Sequence, residues 1–276
     1  MEINKKSIVE ILNKSALRPK KSFGQNFLIN PETSAKIVDL LDIQKNEKVL
    51  EIGPGLGSLT HFLALSDAEI DVIDLDLGMI DFLNIIYKKM SNINVVHGDI
   101  LKADIAAYDK IIGNLPYYIT TDVITKILLK AEKCKKIVCM IQKEAYPRFS
   151  SKVNEPGYSP IGILVSLLGQ IEKIMNVGGG SFYPNPHVDS IVFQIEIDLK
   201  KRTKTNLEIY QLAHTLFLNK RKTILNNLGT FLNNKEAAAQ ILVSLGINEN
   251  LRPENLSPKD YTNLYLTIKN CDKRVK

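Results

Sequence analysis

Between residues 48 and 141 five short apolar runs alternate with stretches of helical periodicity, and that alternation leaves few architectures open. The first run, Val49-Leu50-Glu51-Ile52, is brief and is closed by Gly53, as a buried strand is. Helices are expected over 58–65, 78–90 and 121–132, and further strands over 70–74, 93–96, 108–113 and 136–141. Strands joined by crossover helices run parallel, so the expected fold class is α/β with a doubly wound sheet. Such a sheet takes its ligands at the carboxyl ends of its strands.

Beyond Gly157 the pattern changes. Segments 161–168 and 190–197 are apolar and flank a loop from Gly178-Gly179-Gly180 to Pro186, which predicts two last strands paired as a hairpin. Past Lys200 helical patterns dominate, over 206–218, 223–232, 235–245 and 258–269. The charged stretch 200–204 marks the boundary, giving a body of residues 1–199 and a small α-helical domain of residues 200–276.

Charge narrows the partners. The net charge of +6 divides unevenly: from Leu199 onward there are 14 Lys/Arg against 6 Asp/Glu, and before it 22 against 24. Lys14, Arg18, Lys20 and Lys21 form a second basic island with no acid among them. Basic ends on a near-neutral body fit a polyanion such as nucleic acid; a solvated lysine-rich surface is the plain alternative. Cys134, Cys139 and Cys271 show no metal-ligand spacing and are odd in number, so neither a metal site nor a disulfide framework is expected. The start lacks the apolar run of a signal peptide, and no stretch approaches ~18 uninterrupted apolar residues, which predicts a soluble, cytoplasmic protein.

The chemistry gathers where the strands end. Gly53-Pro54-Gly55-Leu56-Gly57 follows the first strand, and glycines there let backbone approach a ligand at a helix amino terminus. Ser58 stands where a dinucleotide fingerprint would have its third glycine, so a compact nucleoside fits better than a pyrophosphate. Asp74 closes the second strand, where a carboxylate accepts both ribose hydroxyls; Asp76 is its rival, with helix capping as its other role. Asp99 closes the third strand and suits an adenine amino group, or a simple turn. After the fourth strand comes Asn114-Leu115-Pro116-Tyr117-Tyr118-Ile119-Thr120. Carbonyl oxygens of the Asn114 side chain and the Leu115 backbone suit both N–H bonds of an exposed purine amine, Pro116 stiffens the turn, and Tyr117 offers a face to the ring. Such a base–aromatic contact is worth ~1–3 kcal/mol.

With those residues in view, the sequence resembles the ribosomal RNA adenine N6-dimethyltransferases over nearly its whole length. Gln25-Asn26-Phe27-Leu28, preceded by Lys20-Lys21, looks like the family's amino-terminal motif; segments 50–57 and 98–101 look like its cofactor loop and third-strand motif; 114–120 is similar to its catalytic loop. Gln142-Lys143-Glu144, the run from Phe182 to Ser190, and Lys220-Arg221-Lys222-Thr223 match later signatures. The resemblance implies a Rossmann-like class I methyltransferase sheet with a small helical domain, using S-adenosylmethionine and no metal. It implies dimethylation of two adjacent adenosines near the 3′ end of small-subunit (16S) rRNA in a pre-30S particle, by a monomer that does not bind membranes. Asn26, Leu28, Gly53, Asp74, Asp99 and Asn114 would line the cofactor site. Asn114, Leu115, Pro116 and Tyr117 would hold the target base, with Phe182 as a second stacking ring or as core packing. Lys20, Lys21, Lys220, Arg221 and Lys222 would meet RNA; spacing puts Arg221 on a helical stripe with Phe217, Ile224 and Leu228.

Some positions depart from that pattern. Asp74 replaces the usual Glu, Asp122 stands where a proline commonly follows and is read as a helix amino-cap, and Pro147 and segment 158–162 are unexpected. The rivals are a large-subunit (23S) rRNA methyltransferase of the Erm type, which Leu115 and Tyr118 disfavour, and a non-catalytic RNA-binding assembly factor keeping the fold. Leu115 also disfavours a DNA adenine methyltransferase.

Overall fold

Runs that are apolar on both faces can be buried only in a sheet covered on both sides, and this governs the architecture. The computed structural model describes residues 5–14, 17–20, 24–116 and 118–274. The chain starts with α1 (Lys5–Lys14), β1 (Phe27–Leu28), α2 (Pro31–Asp39), β2 (Lys48–Ile52), α3 (Thr60–Leu63), β3 (Glu69–Asp74) and α4 (Leu77–Tyr87). It continues with β4 (Ile93–His97), β5 (Lys110–Asn114), α5 (Thr120–Lys130), β6 (Lys136–Gln142), α6 (Pro147–Ser150), α7 (Pro160–Leu168) and β7 (Gly169–Val177). Then come β8 (Phe182–Tyr183), β9 (Ser190–Ile197), α8 (Lys204–Phe217), α9 (Ile224–Leu232), α10 (Lys235–Ser244) and α11 (Pro258–Arg274).

The main sheet has seven strands in the order β4-β3-β2-β5-β6-β9-β7, and β1 pairs separately with β8. β4, β3, β2, β5 and β6 are parallel, with Ile52 beside Ile73 on one side and beside Gly113 on the other; β9 runs antiparallel to β6. The winding reverses between β2 and β5, so a crevice is expected at their carboxyl ends. Val49, Ile70, Val72, Ile112, Val138, Met140 and Val192 form one core cluster with Ile37, Leu63 and Leu83 from the covering helices and Leu41 from the turn after α2. A smaller cluster joins Ile8, Ile11 and Leu12 of α1 to Phe27, Leu56 and Met79. Each fully buried aliphatic side chain of this kind stabilises by about 1.5–3 kcal/mol.

The chain divides into two compact units, one running up to Tyr146 and resuming over Ile171–Leu199, the other made of Pro147–Gln170 and the residues from Lys200 onward. The helical unit packs Ile163 and Tyr158 with Ile209, Leu212, Leu216, Leu228, Leu242, Tyr261 and Leu264. Two expectations change here. Residues 161–168 are not a strand but lie in α7, begun by Ser159, whose Oγ accepts from Gly162 N at 3.3 Å, with Pro160 at the first helical position. The last strand pair is β7 and β9, and the segment 147–170 groups with the helices rather than with the body ending at Leu199. Pro147 opens α6, and the Ser159 hydroxyl donates to the Arg148 carbonyl at 2.6 Å, which accounts for the unusual residues of this stretch. Among the described residues no helix is long and apolar enough to cross a membrane.

Candidate active site

The reading order along the sheet edge is β4, β3, β2, β5, so Asp99, Asp74, Gly53 and Asn114 follow one another across it. They line one cleft, about 1040 Å³ when the space open to solvent at its mouth is included, together with Asn26, Leu28, Glu51, Leu115, Pro116 and Tyr118. Among the sequence-expected residues, every described cofactor position therefore reaches the same space.

The glycine turn is tight because the Phe27 ring of β1 packs against it. Gly55 has φ +55°, and a Cβ there would lie 3.0 Å from the Phe27 ring, so both conformation and space demand glycine. Ser58 explains itself at this point: its buried hydroxyl donates to the Leu28 carbonyl at 2.6 Å and ties the turn to β1. Glu51, just before the turn, is 1% exposed and lines the cavity. Burial raises its carboxyl to about 8, helped by the nearby Asp74 charge and opposed by the Thr60 hydroxyl, which donates to it at 2.6 Å. It is therefore mostly neutral at pH 7. The sequence reading passed over Glu51; an acid between Leu50 and Ile52 in the buried part of a parallel strand was the signal.

Asp74 and Asp76 take different roles. Asp74 Oδ1 accepts from Asp76 N at 2.8 Å and its carboxylate lines the cavity; burial raises its pKa, while bonds from the Asp76, Gly55 and Leu75 backbone act against the rise. Asp76 is 1% exposed and caps α4, accepting from Gly78 N at 3.1 Å. Asp99 serves its turn as well as the cavity: Oδ1 accepts from Leu101 N at 2.9 Å.

At the switch point, Gly113 has no alternative, since a Cβ would meet the Ile52 carbonyl oxygen at 2.6 Å. This close approach sets Asn114 beside the glycine turn. Asn114 Nδ2 donates to the Asn26 carbonyl at 3.2 Å, which commits the amide nitrogen to the amino-terminal segment and leaves the side-chain oxygen for a donor. Leu115 is buried, with its N–H bonded to Met140 O at 3.0 Å, and Thr120 Oγ1 donates to Pro116 O at 3.0 Å. Tyr117 lies outside the described residues; Tyr118 is 60% exposed at the cavity rim. Asp122 sits in the first turn of α5 but does not cap it, because Ile119 holds the cap position without a side-chain bond. Phe182 is 3% exposed and belongs to the core cluster, paired through β8 with Leu28, so it presents no free face for stacking.

The comparisons with known proteins agree with this geometry. The family model described as ribosomal RNA adenine dimethylase matches residues 4–270. The chain belongs to that family. It is 37% identical over 262 residues to the ribosomal RNA small subunit methyltransferase A of Mycoplasma capricolum, covering 91% of this chain and 98% of that one. With the protein of the same name from Borreliella burgdorferi it shares 35% over 274 residues, covering 97% and 96%. The crystal structure of a dimethyladenosine transferase from Plasmodium falciparum superposes with a TM-score of 0.76 at 28% identity, covering 88% and 98%. The 23S rRNA methyltransferase ErmE has the same fold, with a TM-score of 0.68 at 22% identity, covering 88% and 100%. Membership in this class I methyltransferase family implies S-adenosylmethionine as methyl donor. The cavity fits it: a glycine turn, a half-buried acid at the end of β3 and a second acid just after β4 line the same space.

In the family's frame, the basic residues fall in three situations. Lys20 does not stand free for RNA: its Nζ lies 2.7 Å from Asp76 Oδ1. Lys21 lies outside the described residues. Lys220, Arg221 and Lys222 are exposed, but on the turn between α8 and α9; the helical stripe expected through Arg221 is broken because Thr223 caps α9, accepting from Asn226 N. The turn is held from below by Asn227, 6% exposed, whose amide donates to the carbonyls of Asn219, Lys222 and Thr223 at 3.1, 3.2 and 3.2 Å. Sequence reasoning did not find Asn227, since nothing in its helix marks a side chain that reaches back to the preceding turn.

Proposed function

We propose that this chain dimethylates the N6 amino groups of two adjacent adenosines near the 3′ end of small-subunit rRNA, acting on the partly assembled subunit rather than on naked rRNA. The observation that carries the reading is Asn114 at the switch point, its nitrogen held by Asn26 O, lining the cavity that the glycine turn and Asp74 also line. S-adenosylmethionine supplies a methyl group on a sulfonium centre. Everything else falls to the chain. Asp74 accepts the ribose hydroxyls, and Asp99 takes the adenine amino group of the donor.

On the target side, an amine conjugated to a purine is a poor nucleophile because its lone pair is delocalised. Asn114 Oδ1 and the Leu115 carbonyl accept its two N–H bonds and favour a pyramidal nitrogen whose lone pair points along one line. Tyr117 stacks on the ring. A neutral amine attacking a sulfonium methyl needs no base beforehand, so alignment supplies the rate. Leu115 and Tyr118 favour the small-subunit target over the large-subunit one.

The test gives labelled S-adenosylmethionine to the enzyme with unmethylated small subunits and, separately, with unmethylated large-subunit rRNA. Label on two adjacent adenosines of the small subunit is expected. Label confined to large-subunit rRNA would overturn the target, and no label in either would make the chain a non-catalytic assembly factor.

A further inference from the structure

Asp76 draws together more of this unit than a helix cap requires. Beyond Gly78 N, its carboxylate takes Lys20 Nζ at 2.7 Å on Oδ1 and Gln25 Nε2 at 3.0 Å on Oδ2, while its own N–H donates to Asp74 Oδ1 at 2.8 Å. Gln25 is in turn fixed by Lys20, whose backbone N–H donates to Gln25 Oε1 at 2.8 Å. Residues 24–28 line the cavity, and Asn26 O is the acceptor that orients Asn114. Two described side chains flank this knot: Leu17 packs so closely over Gly78 that a Cβ there would lie 2.7 Å from it, and Phe27 lies against Gly55. One buried carboxylate thus connects the acid expected to hold the ribose with the strap of residues 24–28 that lines the donor cavity.

We infer that Asp76 is a positioning residue of the methyl-donor site, and that Lys20 and Gln25 serve as the arms by which it holds the strap over the cavity, Lys20 acting there rather than on RNA. The inference rests on the cofactor reading proposed above. Its physical basis is that a charge-assisted bond to a buried carboxylate is roughly twice as strong as a neutral one, so the strap is ordered before the donor arrives and less ordering is left to binding. Four methyl transfers per rRNA would require the donor and its spent form to exchange repeatedly at this cavity, so the seating of residues 24–28 along it bears on every turnover.

Calorimetry with S-adenosylhomocysteine on K20M, D76N and the double variant tests this without turnover, alongside hydrogen exchange of residues 24–28 and the KM for small subunits. K20M removes one arm and no helix cap, from a side chain that is half exposed, so it reads the latch even where D76N does not fold. Expected is about tenfold weaker ligand binding for K20M, faster exchange over 24–28, an unchanged KM for small subunits, and a double variant no weaker than D76N. Wild-type ligand affinity in K20M with a raised KM for small subunits would overturn the inference and return Lys20 to RNA. Losses that add in the double variant would also overturn it, by showing that the two residues act separately. A wild-type chain that binds no S-adenosylhomocysteine would remove the cofactor reading itself, a failure distinct from either.

Discussion

Polar groups at the carboxyl edge of the sheet are buried or half-buried and committed to partners: Glu51 to Thr60, Asp76 to Lys20, Gln25 and Gly78, and the half-buried Asn114 to Asn26. On the turn of the helical unit the arrangement is reversed. Lys220, Arg221 and Lys222 are exposed, and only the backbone beneath them is fixed, by Asn227. The difference matches the roles proposed for the two regions. A reacting amine and a small donor need groups fixed in advance to fractions of an ångström, which burial and hydrogen bonding provide. A phosphate backbone is met by charge over several ångströms, and solvated cations on a defined turn suffice.

The comparison breaks most readily at the basic turn. Replacing Lys220, Arg221 and Lys222 together by Ala is expected to weaken small-subunit binding at least about tenfold at moderate salt. The slope of log affinity against log salt should flatten by roughly 2–3, since each lost phosphate contact removes about 0.7–0.9. Binding of the methyl donor should stay as in the wild type. Filter binding across a salt series checks this, and an unchanged slope would make the turn a solvated surface.

A smaller effect sharpens the other side. Glu51 has a folded pKa of about 8 against 4.5 for the free group, so the native state binds a proton that the unfolded chain gives up. The stability that comes from the neutral carboxyl is complete below about pH 4.5 and is lost as pH rises through about 8. The melting temperature of the wild type should therefore fall relative to that of Glu51→Gln as pH rises across this window. Parallel curves would mean that Glu51 is ionised in the fold.

The strands and crossover helices from 48 to 142 were legible because short apolar runs ended by Gly, Asp or Asn have few other readings. Residues 161–168 were not, since an eight-residue apolar run fits a buried helix as well as a strand by periodicity alone. Ser159-Pro160, an amino-cap followed by proline, held the information. β7 went unseen because polar Gln170, Glu172, Lys173 and Asn176 interrupt it and every residue but Val177 is at least partly exposed. In the site, positions that follow strands were readable one by one, whereas roles set by distant partners were not. Lys20 meets an acid 56 residues away. Phe182 looked available for stacking until its pairing with Leu28 placed it in the core.

The central claim is that Asn114 aligns the target amine and does not chiefly bind the donor. The most direct measurement compares wild type and Asn114→Ala in single-turnover methylation of small subunits and in calorimetric binding of S-adenosylmethionine. Positioning predicts a donor Kd within several-fold of wild type and a rate reduced by about a hundredfold or more, the scale on which a lost alignment acts. Donor affinity and rate falling by the same factor would contradict it, and would make Asn114 a part of the donor site alone.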